Sequence, residues 1–318
     1  MEKVVISHRI VEEGLRALEA RCRVILPPEG GFDEETLISE LADADALLAA
    51  GAVTERMIAA APRLKIVANH GAGYDRVDVA AATRRGIPVT NIPDATALPT
   101  AEMALALLLC LERDMLRVNR LMREQAPEPL FGMSREHMGH SLMGRRLGVI
   151  GMGHIGQKMA NLCAALGMEV VYYARHRRPD VPYTWMPLDE LLAECDVLTL
   201  HCPLTDETRG LIGARELALM KPEAVLINTA RGAVVDHDAL IEALQAGRLA
   251  GAGLDVFPQE PHVPQALLNM PNVVLMPHYG TNTVEARIAM VEACCERILA
   301  ALDGKRPPNV VNPEIYGE

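Results

Sequence analysis

Aromatic side chains are scarce in this 318-residue chain: three Phe, six Tyr and a single Trp amount to 3%. Ala, Leu, Val and Met must therefore fill whatever core it builds. Basic charge is also short, with 31 Lys and Arg against 42 Asp and Glu, a net charge of −11. That balance argues against a general nucleic-acid binder and against attachment to an anionic membrane surface. The seven cysteines are odd in number and include no C-x-x-C pair, which suits a reducing compartment rather than a disulfide framework. The adjacent Cys294 and Cys295 read as small apolar helix residues. The longest apolar run, Ala104 to Leu111, is too short to span a bilayer. Met1 to Ile6 passes directly into a strand pattern with no leader signature, so a cytoplasmic protein is expected. Internal repeats and low-complexity segments are lacking as well.

Half of the residues are hydrophobic, and the length allows two domains, each with a core. The chain is organised around Leu147-Gly148-Val149-Ile150-Gly151-Met152-Gly153-His154-Ile155-Gly156. An apolar run ends in G-x-G-x-x-G, and Ala160, Leu162, Ala164, Ala165 and Leu166 follow at roughly helical spacing. Gly151 would make a tight turn, Gly153 would let backbone approach a pyrophosphate, and Gly156 would let helix and strand pack closely. The N–H groups at the helix start then face the phosphates. A plain glycine turn is the alternative for this pattern alone; the strand before it, the helix after it and the strand–helix units downstream favour a dinucleotide.

Residues 1–98 alternate strand and helix patterns. Strands are expected at Val4–Ser7, Arg23–Leu26, Ala46–Ala49, Lys65–Ala68 and Ile87–Thr90. Helices are expected at Ile10–Glu19, Asp33–Leu41, Thr54–Ala60 and Val77–Arg85. Five such strands without a dinucleotide fingerprint predict a flavodoxin-like, doubly wound parallel sheet. At a strand end lies Asn69-His70-Gly71-Ala72-Gly73-Tyr74-Asp75, either a tight turn or a loop offering N–H groups to an anion. A buried helix is expected from Pro99 to Leu121, with Pro99 in its first turn. Arg123 to Gly144 reads as a loop, in which His137 and His140 lack a third metal ligand; no metal site is expected. Strands then recur at Leu147–Ile150, Glu169–Tyr173, Val197–Leu200, Val225–Asn228, Gly251–Leu254 and Val273–Leu275, the six of a Rossmann dinucleotide domain. A helix over about Thr283 to Leu302 should return the chain to the first domain. The expected division is 1–98 plus 284–318 for the flavodoxin-like substrate domain and 99–283 for the NAD(P)-binding Rossmann domain.

Arg231, Glu260 and His278 each lie just beyond the carboxyl end of a late strand, where such sheets place ligands. A guanidinium binds a carboxylate or polarises a carbonyl, a histidine moves a proton near neutral pH, and a neighbouring carboxylate stabilises the imidazolium. With a nicotinamide supplying hydride, these groups can reduce a 2-keto acid. In an NAD site an acid follows the second strand and takes the ribose hydroxyls. Here Ala174 follows Tyr173, and Arg175, His176, Arg177 and Arg178 come next. The missing acid and the added cations predict NADP(H) in preference to NAD(H), with Arg175 or Arg177 on the 2′-phosphate.

Taken together, Gly71–Asp75, Gly151–Gly156, His201-Cys202-Pro203-Leu204 with Thr208, Asn228–Val235, Gly253–Phe257 through Glu260-Pro261, and Pro277-His278-Tyr279-Gly280 resemble the D-isomer-specific 2-hydroxyacid dehydrogenases over nearly the whole length. That family includes glyoxylate and hydroxypyruvate reductases. The resemblance implies that Arg231 binds substrate, His278 is the acid/base and Glu260 tunes it. It implies that the backbone of Ala72 and Gly73 holds the substrate carboxylate. It places His154 and Ile155 at the pyrophosphate, and Cys202, Pro203, Thr208, Ala230, Asp255 and Gly280 along the cofactor. A homodimer built on the dinucleotide domains is also implied. The chain departs from many relatives at Ala97, where they carry threonine, and at Thr281-Asn282-Thr283, where they carry Ser-Ala-Thr. The second departure favours small 2-keto acids. A phosphoglycerate dehydrogenase-like enzyme is the alternative within the class; a dinucleotide-gated corepressor-like binding protein is the alternative outside it, disfavoured because terminal extensions are missing.

Overall fold

The computed structural model describes residues 1–124, 128–131, 135 and 138–317; His137 lies outside them. The chain forms two compact units, Met1–Thr96 with Thr281–Glu318, and Ala97–Gly280.

In the first unit, β1 (Lys3–Ile6), β2 (Arg23–Ile25), β3 (Ala46–Ala49), β4 (Ile66–Asn69) and β5 (Val89–Thr90) form a parallel sheet in the order β2-β1-β3-β4-β5. This is the flavodoxin-like order. Every residue of β1, β3 and β4 is buried, as expected of strands covered on both faces. The helix Val284–Leu302 starts at Thr283, whose hydroxyl accepts from Ala286 N–H. It buries Met290, Val291, Cys294, Cys295 and Ile298 against Val4, Ile6, Leu48 and Ile66. The paired cysteines are thus core residues, their thiols pushed up to about 12 by burial. Asn312 closes the β5 edge: its side chain accepts from Val89 N–H and donates to Ile87 C=O. That caps the unpaired groups of an edge strand.

In the second unit, β6 (Arg146–Ile150), β7 (Glu169–Tyr173), β8 (Thr184–Trp185), β9 (Val197–Leu200), β10 (Val225–Asn228), β11 (Gly251–Leu254) and β12 (Val273–Leu275) form a seven-stranded parallel sheet, ordered β12-β11-β10-β9-β6-β7-β8. Within this unit the order is the Rossmann arrangement with one added strand. The strand absent from the six expected is β8, two residues beside β7, too short to show a period; it takes the edge of the classic order, and β12 is the added strand. The register aligns Asn228 with Leu254 and Leu254 with Leu275, so β10, β11 and β12 end at one level.

The helix expected from Pro99 starts instead at Pro93 and runs to Glu112, carrying Pro99 inside it. Pro93 takes the helix start, and the missing N–H of Pro99 forfeits one bond within the helix. A turn follows in which Asp114 has a φ of +50°, and a separate helix begins at Met115 and runs to Glu124. Length and hydropathy alone would let Pro93–Glu112 cross a bilayer. Its Ala101, Ala104, Leu107 and Leu108 are instead packed with Val149 and Ile227 in the core of the second unit. Gly253 in β11 is what that approach needs, because a Cβ there would lie 2.9 Å from Leu107 Cβ. The segment expected as loop from Arg123 holds the end of this second helix and a 3-10 turn at Glu128–Phe131.

Candidate active site

The three glycines after β6 divide by physical cause. Gly151 has φ +94°, and a Cβ there would lie 2.6 Å from Cys202 N. A Cβ on Gly156 would lie 2.1 Å from Gly151 O. Both are therefore required by the fold itself. Gly153 has nothing within 4 Å of its Cβ position, so packing does not explain it. It is the N-cap of the helix His154–Ala165, which has no side-chain cap. The helix thus begins uncapped at a residue with open space at its Cβ position, and an uncapped helix start can receive a pyrophosphate.

The loop after β9 packs under this turn. His201 N–H donates to Ile150 O, and its buried ring contacts Thr199 Oγ1 at 2.9 Å; burial holds the ring at about 3. The Cys202 side chain is also buried, its thiol pushed up to about 11. Cys202 therefore reaches this site through its backbone. Pro203 is exposed, and its carbonyl accepts from Thr208 Oγ1 at 2.7 Å, while Thr208 Oγ1 accepts from Thr205 N–H. Thr208 thus fastens the loop.

Beyond β7, Arg175 pairs with Glu207 at 2.7 Å. Arg177 lies over the Trp185 ring, 4.5 Å from its centroid, and His176 is exposed. Arg178 pairs with Asp180 and donates to Met152 O at 3.1 Å, which ties the basic turn to the glycine loop.

Ends of β10, β11 and β12 carry the three candidate catalytic side chains. Asn228 Nδ2 donates to Arg231 O and Asn228 Oδ1 accepts from Ala230 N–H, both at 3.0 Å. The Arg231 guanidinium donates back to Ala230 O at 2.8 Å. Gly232 brings the β10 and β11 loops together, since a Cβ there would lie 2.0 Å from the Phe257 carbonyl carbon. Glu260 Oε1 accepts from Phe257 N–H at 3.1 Å, and Oε2 lies 2.9 Å from His278 Nδ1. His278 Nδ1–H is therefore the donor, and Nε2 remains for a reactant. The His278 side chain is 49% exposed and that of Glu260 25%, so the imidazole faces outward and its carboxylate partner is sheltered.

Asp255 sets this imidazole in place. His278 has the left-handed φ of +58°, a conformation that a non-glycine residue keeps only when its surroundings hold it. Asp255 supplies three acceptors: its carbonyl takes His278 N–H at 2.8 Å, and its carboxylate takes Tyr279 N–H at 2.7 Å and Gly280 N–H at 2.8 Å. Burial raises the Asp255 carboxyl above its ordinary value, and those two N–H groups and His278 oppose the rise. A Cβ at Gly280 would lie 3.1 Å from Asp255 Oδ2, so a larger residue there would press on the carboxylate. Asp255, expected along the cofactor, thus has its carboxylate on the His278 loop.

In the first unit, the loop after β4 is held by its carbonyls. Asn69 Nδ2 donates to Gly71 O and Gly73 O, at 3.0 and 2.9 Å, and Asn91 Nδ2 donates to Ala72 O at 2.8 Å. The N–H groups of Ala72 and Gly73 have no acceptor among the described residues. Paired N–H groups of this kind receive anions. These two asparagines and Asn228 carry no role in the sequence reading; an Asn ending an apolar strand just before a small-residue turn is the signal common to Asn69 and Asn228. Among the described residues no group of three His, Cys, Asp or Glu is placed to hold a metal ion, and Ala97 is a buried helix residue.

Residues 105–280 match the profile of the D-isomer-specific 2-hydroxyacid dehydrogenase NAD-binding domain. The chain is 40% identical to glyoxylate reductase of Thermococcus litoralis, covering 98% of this chain and 97% of that protein. It is 42% identical to glyoxylate reductase of Thermococcus gammatolerans, covering 98% and 96%. An NADPH-dependent glyoxylate/hydroxypyruvate reductase from Sinorhizobium meliloti, solved with NADP and malonate, superposes with a TM-score of 0.90 at 33% identity, covering 98% and 96%. The open space at Gly153 and the uncapped helix behind it fit the dinucleotide named in that profile and in the Sinorhizobium meliloti structure. The chain belongs to the D-isomer-specific 2-hydroxyacid dehydrogenase family, the NAD(P)-dependent enzymes of 2-keto and D-2-hydroxy acids.

Proposed function

We propose that this protein reduces glyoxylate or hydroxypyruvate to the 2-hydroxy acid with NADPH, as a cytoplasmic homodimer. The observation that carries the reading is the His278 Nδ1–Glu260 Oε2 contact of 2.9 Å on a loop clamped by Asp255. The nicotinamide supplies the hydride when bound. His278 Nε2 gives a proton to the keto oxygen as the carbonyl carbon is reduced, and Glu260 stabilises the imidazolium that holds this proton beforehand. Arg231 binds the carboxylate and polarises the carbonyl. The N–H groups of Ala72 and Gly73 hold the carboxylate. Gly151, Gly153, His154, Ile155 and Gly156 frame the pyrophosphate, and Cys202, Pro203, Thr208, Ala230, Asp255 and Gly280 shape the remaining cofactor wall.

Ala174 stands where an NAD site keeps an acid, and Arg175, His176 and Arg177 follow it. This supports NADPH as the preferred coenzyme. Stacking on Trp185 restrains the Arg177 guanidinium, and Arg175 can exchange Glu207 for a 2′-phosphate. For the homodimer, the support is the helix Met115–Glu124, which buries none of its residues and exposes Met115, Leu116 and Met122. An apolar stripe of this kind marks an association surface.

A panel of 2-keto acids against NADH and NADPH, followed at the nicotinamide absorbance, tests the reading. Highest kcat/KM with glyoxylate or hydroxypyruvate and NADPH is expected; a preference for 3-phosphooxypyruvate would contradict it. Arg175→Ala or Arg177→Ala should lower the NADPH-to-NADH ratio of kcat/KM by about tenfold, the worth of one charge-assisted hydrogen bond. A wild-type preference for NADH would overturn the coenzyme assignment.

A further inference from the structure

We infer that the hydrogen-bonded chain Ser7–His8–His70 positions the carboxylate-binding loop and thereby sets affinity for the keto acid. The inference rests on the reading that Ala72 and Gly73 N–H groups receive the substrate carboxylate.

β1, β3 and β4 are neighbours in the first sheet, and their carboxyl ends lead to Ser7, Ala50 and His70. Ala50 N–H donates to Ser7 Oγ at 3.1 Å. Ser7 Oγ lies 3.3 Å from His8 Nδ1, and His8 Nε2 lies 3.0 Å from His70 Nδ1. Three loops are thereby linked, the third through the Ala50 backbone N–H and the other two through side chains. The last link, His70, directly precedes Gly71-Ala72-Gly73. Its backbone N–H donates to Ala49 O at 2.7 Å, so both its main chain and its ring are held.

The chain of bonds needs one proton per ring. If Ser7 donates to His8 Nδ1, His8 Nε2–H donates to His70 Nδ1; if the order reverses, His70 Nδ1–H donates to His8 Nε2. Each order leaves His70 Nε2 at the end, and that atom is buried with no partner. Burial first, then the Arg287 charge, holds His8 at about 4; burial, His8 and Arg287 hold His70 at about 3. Both rings are uncharged at neutral pH. An apolar pair would fill the same volume with no orphaned nitrogen. A buried histidine set against a half-buried one, with a ring nitrogen left unpartnered, is the kind of local inconsistency found at functional positions. What the pair adds is a directional link to the residue before Gly71. Neither ring needs to touch substrate, so these are positioning residues.

A double-mutant cycle on the full-length enzyme tests this, with NADPH saturating and glyoxylate varied. His8→Phe and His70→Phe should each raise KM for glyoxylate about tenfold, because one buried partner is left unpaired. Both should leave kcat and KM for NADPH within about twofold of wild type. The double variant should be no worse than either single, since the lost interaction is the same one. His70→Asn, which keeps a polar atom near the Nδ1 position, should restore most of the affinity and covers the case in which the Phe variants fold poorly. Additive KM effects, or equal losses in kcat and NADPH binding, would overturn the inference. Asn91→Ala, which frees Ala72 O, separates the two claims: a raised KM there with unchanged KM in the histidine variants refutes the positioning role and leaves the carboxylate loop standing. Unchanged KM in all of them refutes both.

Discussion

Gly153→Ala separates what the glycine turn does for the fold from what it does for the cofactor. A methyl at Gly156 would lie 2.1 Å from Gly151 O, and one at Gly151 would lie 2.6 Å from Cys202 N at φ +94°. Both clashes are with backbone, which cannot swing away. Overpacking of this kind costs about 1–3 kcal/mol, and each kcal/mol moves Tm by about 2–4 °C at this domain size. Gly156→Ala should therefore melt several degrees below wild type without cofactor. A methyl at Gly153 meets nothing within 4 Å, and its φ of −83° suits any L-residue. Gly153→Ala should fold with a Tm within a few degrees of wild type, because loss of a glycine N-cap costs only a fraction of about 1 kcal/mol. The added methyl then occupies space that a pyrophosphate would take. Thermal melts at an NADPH concentration near 100 times the wild-type Kd should show about 2.7 kcal/mol of ligand stabilisation in wild type. A tenfold weaker site leaves about 1.4 kcal/mol at the same concentration. The ligand-induced rise in Tm should therefore roughly halve in Gly153→Ala. Undiminished NADPH stabilisation in that variant would refute the placement of the pyrophosphate at Gly153.

Glu260→Gln removes the charge that favours the His278 imidazolium while keeping an acceptor for Phe257 N–H, so the pH optimum for keto acid reduction should move to lower pH; an unchanged pH–rate profile would contradict the role of Glu260. His201 is held at about 3, below its ordinary 6.5, by burial. The unfolded chain therefore binds this proton first, and the stability it gives is complete above about pH 6.5 and is lost as pH falls toward 3. The loss between pH 7 and 5 is about 2 kcal/mol, and urea unfolding of His201→Asn should show a correspondingly shallower pH dependence than wild type.

Strands were the most legible elements, and for a physical reason. Val197–Leu200, Val225–Asn228, Gly251–Leu254 and Val273–Leu275 are short apolar runs bounded by turns, and each appears with those limits. A strand buried on both faces carries its assignment in its own residues. The two-residue β8 has too few residues to show a pattern, and the helix start at Pro93 lay hidden because Pro99 offered a second plausible first turn. In the site, Arg231, Glu260 and His278 could be singled out because each is a chemically active residue just beyond a strand end. Asp255 and the Asn69 and Asn91 amides could not be assigned their parts. Their partners are backbone groups, and only the folded chain brings those within reach. Asp255 shows this most clearly: the family resemblance put it along the cofactor, and only the folded chain shows that its carboxylate also holds the backbone of the two residues after His278.

The most direct test of the account is the turnover of His278→Ala with glyoxylate and NADPH, measured alongside NADPH binding. The account predicts that kcat falls by about 10²–10⁴-fold while the Kd for NADPH stays within a few-fold of wild type. A variant that turns over glyoxylate at the wild-type rate would contradict it.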